Sequence, residues 1–112
     1  MATWAAVADE LGRGEATLVD LREPEELAAS GSIPGAVHAP RGMLEFYADP
    51  SLPYHRAEFE RDRRIILHCA SGGRSALAAK TLKDMGYTNV AHLDCGIQRW
   101  SAEGKPVEGG SA

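Results

Sequence analysis

Ile65-Ile66-Leu67-His68-Cys69-Ala70-Ser71-Gly72-Gly73-Arg74-Ser75 is the stretch that decides how this chain folds. It opens as a short run of apolar β-formers, the pattern of a strand buried on both faces. It then breaks into small residues with paired glycines and leaves through Arg74-Ser75 into helical periodicity. A cysteine between a strand end and a helix start meets the helix dipole and the unpaired N–H groups of the first turn, both of which favour an anion. Gly72 and Gly73 permit the backbone angles with which successive loop N–H groups converge into an anion-binding nest. Both effects lower a thiol pKa, and Cys69 is therefore read as a nucleophile.

Working outward, Leu77, Ala78, Thr81, Leu82 and Met85 predict one apolar face of the helix after the loop, with Gly86 as its stop. Residues 90–93 read as a strand, Asp94-Cys95-Gly96 as a turn, and Ile97 and Trp100 as the apolar positions of a last helix. Residues 104–112 read as a flexible tail. Upstream, Thr3 caps a helix carrying Trp4, Val7, Ala8 and Leu11, closed by Gly12. Residues 17–21 form a strand in which Asp20 needs a partner, Arg22 being the nearest. Pro24 starts a helix that Gly31 ends, Ile33-Pro34-Gly35 is turn chemistry, and residues 36–38 make a very short strand. Residues 40–64 are the least regular, with helical turns expected at 43–47 and 57–61.

Strands alternating with helices predict an α/β domain: a central parallel sheet of about five short strands with helices on both faces. In such sheets the site lies beyond the carboxyl ends of the strands. That rule gathers Cys69, the Asp20-Arg22 corner, the stretch from His38 to Arg41, and Cys95 at one end of the molecule.

The length of 112 residues fits one domain spanning the whole chain. A net charge of −4, with no Lys/Arg cluster, argues against nucleic acid as a partner. No apolar run is long enough to span a membrane, and Met1-Ala2-Thr3-Trp4 lacks the regions of a signal peptide, so a cytoplasmic location is expected. In that reducing compartment Cys69 and Cys95 are reactive thiols rather than a structural bridge. Neither has the paired spacing of a metal ligand, and no metal site is expected.

His68-Cys69 followed by glycines and Arg74-Ser75 invites comparison with protein tyrosine phosphatases, whose cysteine and arginine are separated by five residues. Here only Ala70, Ser71, Gly72 and Gly73 intervene. That spacing instead resembles rhodanese-type sulfurtransferases, and the resemblance covers nearly the whole chain. Asp20-Leu21-Arg22-Glu23-Pro24-Glu25-Glu26 resembles the family's Asp-x-Arg-x-x-x-Glu segment, and Gly31-Ser32-Ile33-Pro34-Gly35-Ala36 its Gly-His-Ile-Pro-Gly-Ala signature. Gly96-Ile97 through Trp100, with Gly104-Lys105-Pro106-Val107, resembles its C-terminal Gly-Gly-x-x-x-Trp…Gly-x-Pro-Val. Residues 42–54 are similar to a group of small bacterial single-domain rhodanese proteins. Ser32 stands where the family has His, and Cys95 where it has the first glycine of the pair.

The resemblance implies a three-layer rhodanese-like fold and a two-step sulfur transfer. Cys69 would take the outer sulfur of a small donor such as thiosulfate and pass it, from a persulfide, to a thiol or cyanide acceptor or to a sulfur-accepting protein. Residues Ala70, Ser71, Gly72 and Gly73 would cradle the anion, Arg74 would orient the donor's sulfonate, and Ser75 would order the loop. Arg41 is a further candidate for substrate contact, Asp20 and Arg22 are supporting residues, and Cys95 is a candidate second, resolving thiol. No metal or organic cofactor is implied. A sulfur-carrier or redox-sensing module acting on a partner protein is the alternative; a phosphatase or arsenate reductase ranks last because of the short loop.

Overall fold

A strand that is apolar on both faces must be covered on both, and this requirement builds the layers. The computed structural model describes residues 4–93, 96–105 and 107–108. In chain order its elements are α1 (Trp4–Gly12), β1 (Thr17–Asp20), α2 (Pro24–Ser30), β2 (Val37–His38), a 3-10 turn (Arg41–Met43) running into α3 (Leu44–Ala48), β3 (Ile65–His68), α4 (Gly73–Asp84), β4 (Val90–His92) and α5 (Gly96–Ala102). The strands are all parallel, in the order β2-β1-β3-β4. The α/β class is as expected; among the described residues the sheet has four strands, slightly fewer than anticipated.

The two-residue alternation of the strands divides the core. Val19, Leu21, Ile65 and Leu67 cluster with Leu44 and Ala48 of α3 and with Ala78, Ala79 and Leu82 of α4. Leu18, Ile66 and Ala91 cluster with Val7 of α1 and with Ile97 and Trp100 of α5 on the opposite face. Truncating a fully buried residue of this kind, Leu67 or Leu82, to alanine costs about 2–5 kcal/mol.

Three details depart from the sequence reading. Leu77 is 67 % exposed; Ala78 and Leu82 of the expected face are buried, together with Ser75 and Ala79. Small residues let α4 lie close on β3 and β4, so its buried stripe is centred on the alanines and Leu77 falls in solvent. Residues 57–61 form turns and not a helical turn. Their backbone is tied to the connection after α4: the Tyr87 hydroxyl donates to the carbonyls of Ala48 at 2.6 Å and Phe59 at 3.2 Å, and Thr88 N–H donates to Arg61 O at 3.0 Å. Beyond Gly104, where a tail was anticipated, Val107 packs on the α1/α5 core and Glu108 exchanges two 2.8 Å backbone bonds with Ser32. No helix among the described residues is long and apolar enough to cross a membrane.

Chain order places the site. From β1 the chain moves outward to β2 and then returns to β3 on the other side of β1, so the connections diverge between β1 and β3. The carboxyl ends of these two strands lie side by side, Asp20 level with His68. Cys69 is the next residue.

Candidate active site

Cys69 leaves β3 into a loop that α4 receives at Gly73. Gly72, just before the helix, has φ +110°, a conformation that L side chains rarely adopt. Gly73 is the first helical residue and has open space where a Cβ would stand. Of the paired glycines, only Gly72 is demanded by the backbone.

The first N–H groups of a helix lack intrahelical partners, and α5 uses two of them on this loop. Ile97 N–H donates to Cys69 O at 3.0 Å and Gln98 N–H to Ala70 O at 3.2 Å. Anchoring those carbonyls on α5 leaves the following N–H groups for the thiol, and Gly72 N–H donates to Cys69 Sγ at 3.2 Å. The thiol itself is buried, Cys69 being 1 % exposed. Burial pushes the Cys69 thiol up, but the Ser75 N–H and hydroxyl and the Gly72 and Ser71 N–H groups outweigh it and hold it below its ordinary value. Gly96 makes this packing possible: a Cβ there would overlap the Cys69 carbonyl oxygen and lie 2.6 Å from that of Ala70. Sequence reasoning gave Gly96 no role of its own. Its place as the second member of the family's glycine pair is the signal that marks it.

Arg74 does not stand open above the loop. Its two terminal nitrogens each sit 2.8 Å from a carboxylate oxygen of Glu26 on α2, a bidentate pair. Glu26 also accepts the Glu23 N–H at 2.7 Å, closing a capping box, so the first turn of α2 fixes where its carboxylate points. The Arg74 fork, with the Glu23 N–H, lowers the Glu26 pKa to about 2, and Glu26 raises that of Arg74. Glu26 was missed as a site residue, although it is the last residue of the Asp20-x-Arg22-x-x-x-Glu26 pattern.

A model of the rhodanese-like domain matches residues 3–103. The chain belongs to the rhodanese family. It is 36 % identical over 90 residues to a sulfurtransferase of Allochromatium vinosum, covering 80 % of this chain and 76 % of that protein. It is 33 % identical over 94 residues to chloroplastic thiosulfate sulfurtransferase 16 of Arabidopsis thaliana, covering 80 % and 78 %. Among solved structures, a Rhodopseudomonas palustris protein of unknown function, described as a possible tyrosine phosphatase, superposes with a TM-score of 0.88. It is 44 % identical, over 95 % of this chain and 82 % of that one.

In this rhodanese domain Asp20 and Arg22 form a buried pair beneath the site, each side chain 1 % exposed. Arg22 donates to both carboxylate oxygens, at 3.1 and 2.8 Å, and to Gly31 O at 2.7 Å, tying the end of β1 to the end of α2. Burial alone would raise the Asp20 pKa; the Arg22 bonds outweigh it and hold the carboxyl below the usual range. His68 Nε2 lies 3.6 Å from Asp20 Oδ2, and neither ring nitrogen of His68 has a hydrogen-bond partner. Burial therefore depresses the His68 pKa below its ordinary 6.5.

That depression has a stability consequence. Below about pH 6.5 the unfolded chain takes up a proton that folded His68 refuses, so stability falls as the pH drops through that window; Asp20 adds a second loss below its own unfolded value. Thermal unfolding at about pH 7.5 and about pH 5.5 is expected to give a smaller Tm difference in His68→Leu than in the parent. Equal differences would remove His68 from the acid response.

Arg41 is not brought to the loop. Its guanidinium lies on Glu45 at 2.6 Å and on Thr81 of α4 at 3.2 Å, seven residues along the helix from Arg74. Helical rise puts that about 10 Å away. His38 Nε2 meets Arg22 O at 2.7 Å. Cys95, the candidate second thiol, lies outside the described residues.

Proposed function

We propose that this chain transfers sulfane sulfur through a persulfide on Cys69. The observation that carries the reading is a buried thiol between β3 and α4 that accepts the Gly72 N–H at 3.2 Å and lies 3.7 Å from the Ser75 hydroxyl, surroundings that lower its pKa. Cys69 thiolate attacks the outer sulfur of thiosulfate. A new S–S bond forms as the bond to the sulfonate sulfur breaks, and sulfite leaves with the electron pair. The persulfide's terminal sulfur is anionic and is stabilised by the same donors. A thiol or cyanide then attacks that sulfur, and Cys69 departs as thiolate. A moderately lowered pKa serves both halves, since the first needs nucleophilicity and the second a leaving group. The relative named for thiosulfate supports that donor. Thiol chemistry of this kind fits a reducing compartment, and we assign the cytoplasm.

In this reading Arg74 orients the donor's sulfonate, so Glu26 competes with the donor for the same fork. Arg74→Ala loses a charge-assisted contact of about 2 kcal/mol, which predicts a roughly thirtyfold drop in kcat/KM for thiosulfate. Glu26→Gln keeps an acceptor for the Glu23 N–H but discharges the competitor, and should lower KM for thiosulfate several-fold. Steady-state thiocyanate formation from thiosulfate and cyanide measures both and tests the proposed activity. A KM raised in both variants would mean that Glu26 holds Arg74 in place for the donor and does not compete with it.

A second reading, a carrier charged by a partner protein, is favoured by the 1 % exposure of Cys69 and the occupied Arg74 fork. Slow turnover with thiosulfate, together with rapid charging of Cys69 from a protein persulfide, would select it. A phosphatase reading fits least, because four residues between Cys69 and Arg74 make a tight cradle for a phosphate.

A further inference from the structure

Ser75 is fully buried, and its single hydroxyl proton has three places to go. Gly72 O lies 3.1 Å from Ser75 Oγ, His92 Nδ1 lies 3.1 Å from it, and Cys69 Sγ lies 3.7 Å from it. The topology makes this meeting. Leu67 is level with His92 across the β3/β4 pairing, and Cys69 and His92 each follow residues in the strand alternation that face α4, where Ser75 occupies the first turn. Arg74, beside Ser75 on α4, is paired with Glu26 of α2, and His92 has a further interaction besides its contact with Ser75.

Consider the two proton states of His92 Nδ1. If it is bare, Ser75 must donate to it, or two lone pairs would face each other at 3.1 Å. Ser75 then has no proton for sulfur. If Nδ1 carries a proton, it donates to Ser75 Oγ, and the hydroxyl is free to turn to Cys69. A thiolate beside a buried hydroxyl is stabilised only in the second state.

We propose that His92 is a positioning residue that holds the proton released by Cys69, passed through Ser75. The thiol proton moves to Ser75 Oγ as the Ser75 proton moves to His92 Nδ1, leaving thiolate and imidazolium with no proton lost to solvent. The chain His92 Nδ1–H to Ser75 Oγ–H to Cys69 Sγ then supports the attacking thiolate. When the acceptor takes the sulfur and Cys69 leaves as thiolate, the same path returns the proton. The proposal deepens the sulfur-transfer reading, but its core, coupled ionisation of Cys69 and His92, holds whatever the sulfur donor.

The test follows ionisation without any sulfur donor, so it stands apart from the success of that reading. Iodoacetamide alkylation of Cys69, quantified on its own peptide by mass spectrometry to exclude Cys95, is measured against pH. His92→Asn keeps a hydrogen-bond partner for Ser75 but cannot hold the proton. It should raise the Cys69 midpoint by about one pH unit, a tenfold slower alkylation at neutral pH. Ser75→Ala should act similarly, and the double variant should shift no further than the larger single one. In the unsubstituted protein, the 15N shift of His92 Nδ1 should show the imidazolium persisting through the Cys69 alkylation midpoint and losing its proton only at higher pH. Coincident alkylation profiles for parent and His92→Asn, additive shifts in the double variant, or a His92 already neutral below the Cys69 midpoint would each overturn the proposal.

Discussion

Cys69→Ser is expected to reduce thiocyanate formation from thiosulfate and cyanide by on the order of a thousandfold or more while leaving the fold in place. The serine oxygen fits the space of the buried sulfur and can accept the Gly72 N–H that now reaches it at 3.2 Å. What changes is ionisation. The donors around position 69 bring a thiol below its ordinary pKa, but no such set of neutral N–H groups brings an alcohol near neutrality. Thermal unfolding should place Tm within a few degrees of the parent. Activity within a few-fold of the parent would take Cys69 out of the mechanism.

Gly96→Ala is expected to be the most destabilising single methyl addition near the site. Gly96 has φ +56°, where an L side chain costs about 1–2 kcal/mol. The new Cβ would also meet backbone, overlapping the Cys69 carbonyl oxygen and lying 2.6 and 2.8 Å from Ala70 O and C. No rotamer relieves a clash with backbone, so either α5 or the loop must move. Either movement breaks the bonds from Ile97 and Gln98 that anchor the loop carbonyls. We expect a loss of about 3 kcal/mol or more, a Tm lowered by about 12 °C or more, and sulfur transfer reduced even where the variant remains folded. A Tm within a few degrees of the parent would show that the close approach of α5 to the loop is not required.

The loop, its strand and its helix are legible in the sequence because their physics is local. An apolar run, a cysteine, small residues and a helical start need no distant partner to be understood. The sheet-end rule also carries across the chain: it gathers Cys69 and the Asp20-Arg22 corner at one end, where the strand register then sets Asp20 level with His68. What the sequence conceals are pairings between remote residues. Glu26 and Arg74 are 48 positions apart, and nothing in the helical reading of residues 24–30 says that the third residue of that helix reaches the loop. The paired glycines mislead for a related reason. Composition says that Gly72 and Gly73 can both adopt unusual angles, but the start of α4 uses that freedom only at Gly72. Leu77 shows the limit of periodicity: a stripe of alanines and a stripe containing leucine both satisfy helical spacing, and close packing against the sheet selects the smaller residues. Arg41 was grouped with the site because it follows β2, whereas Glu45 and Thr81 draw its guanidinium along α4.

The central claim is that Cys69 carries the sulfur, and intact-mass measurement tests it most directly. The protein is incubated with thiosulfate, freed of small molecules and weighed, with and without a subsequent cyanide treatment. The account predicts a gain of one sulfur atom that maps to the Cys69 peptide, is absent in Cys69→Ser and is removed by cyanide. An unchanged mass with both thiosulfate and a protein persulfide as donors, or a sulfur atom that maps to Cys95 and survives in Cys69→Ser, would contradict it.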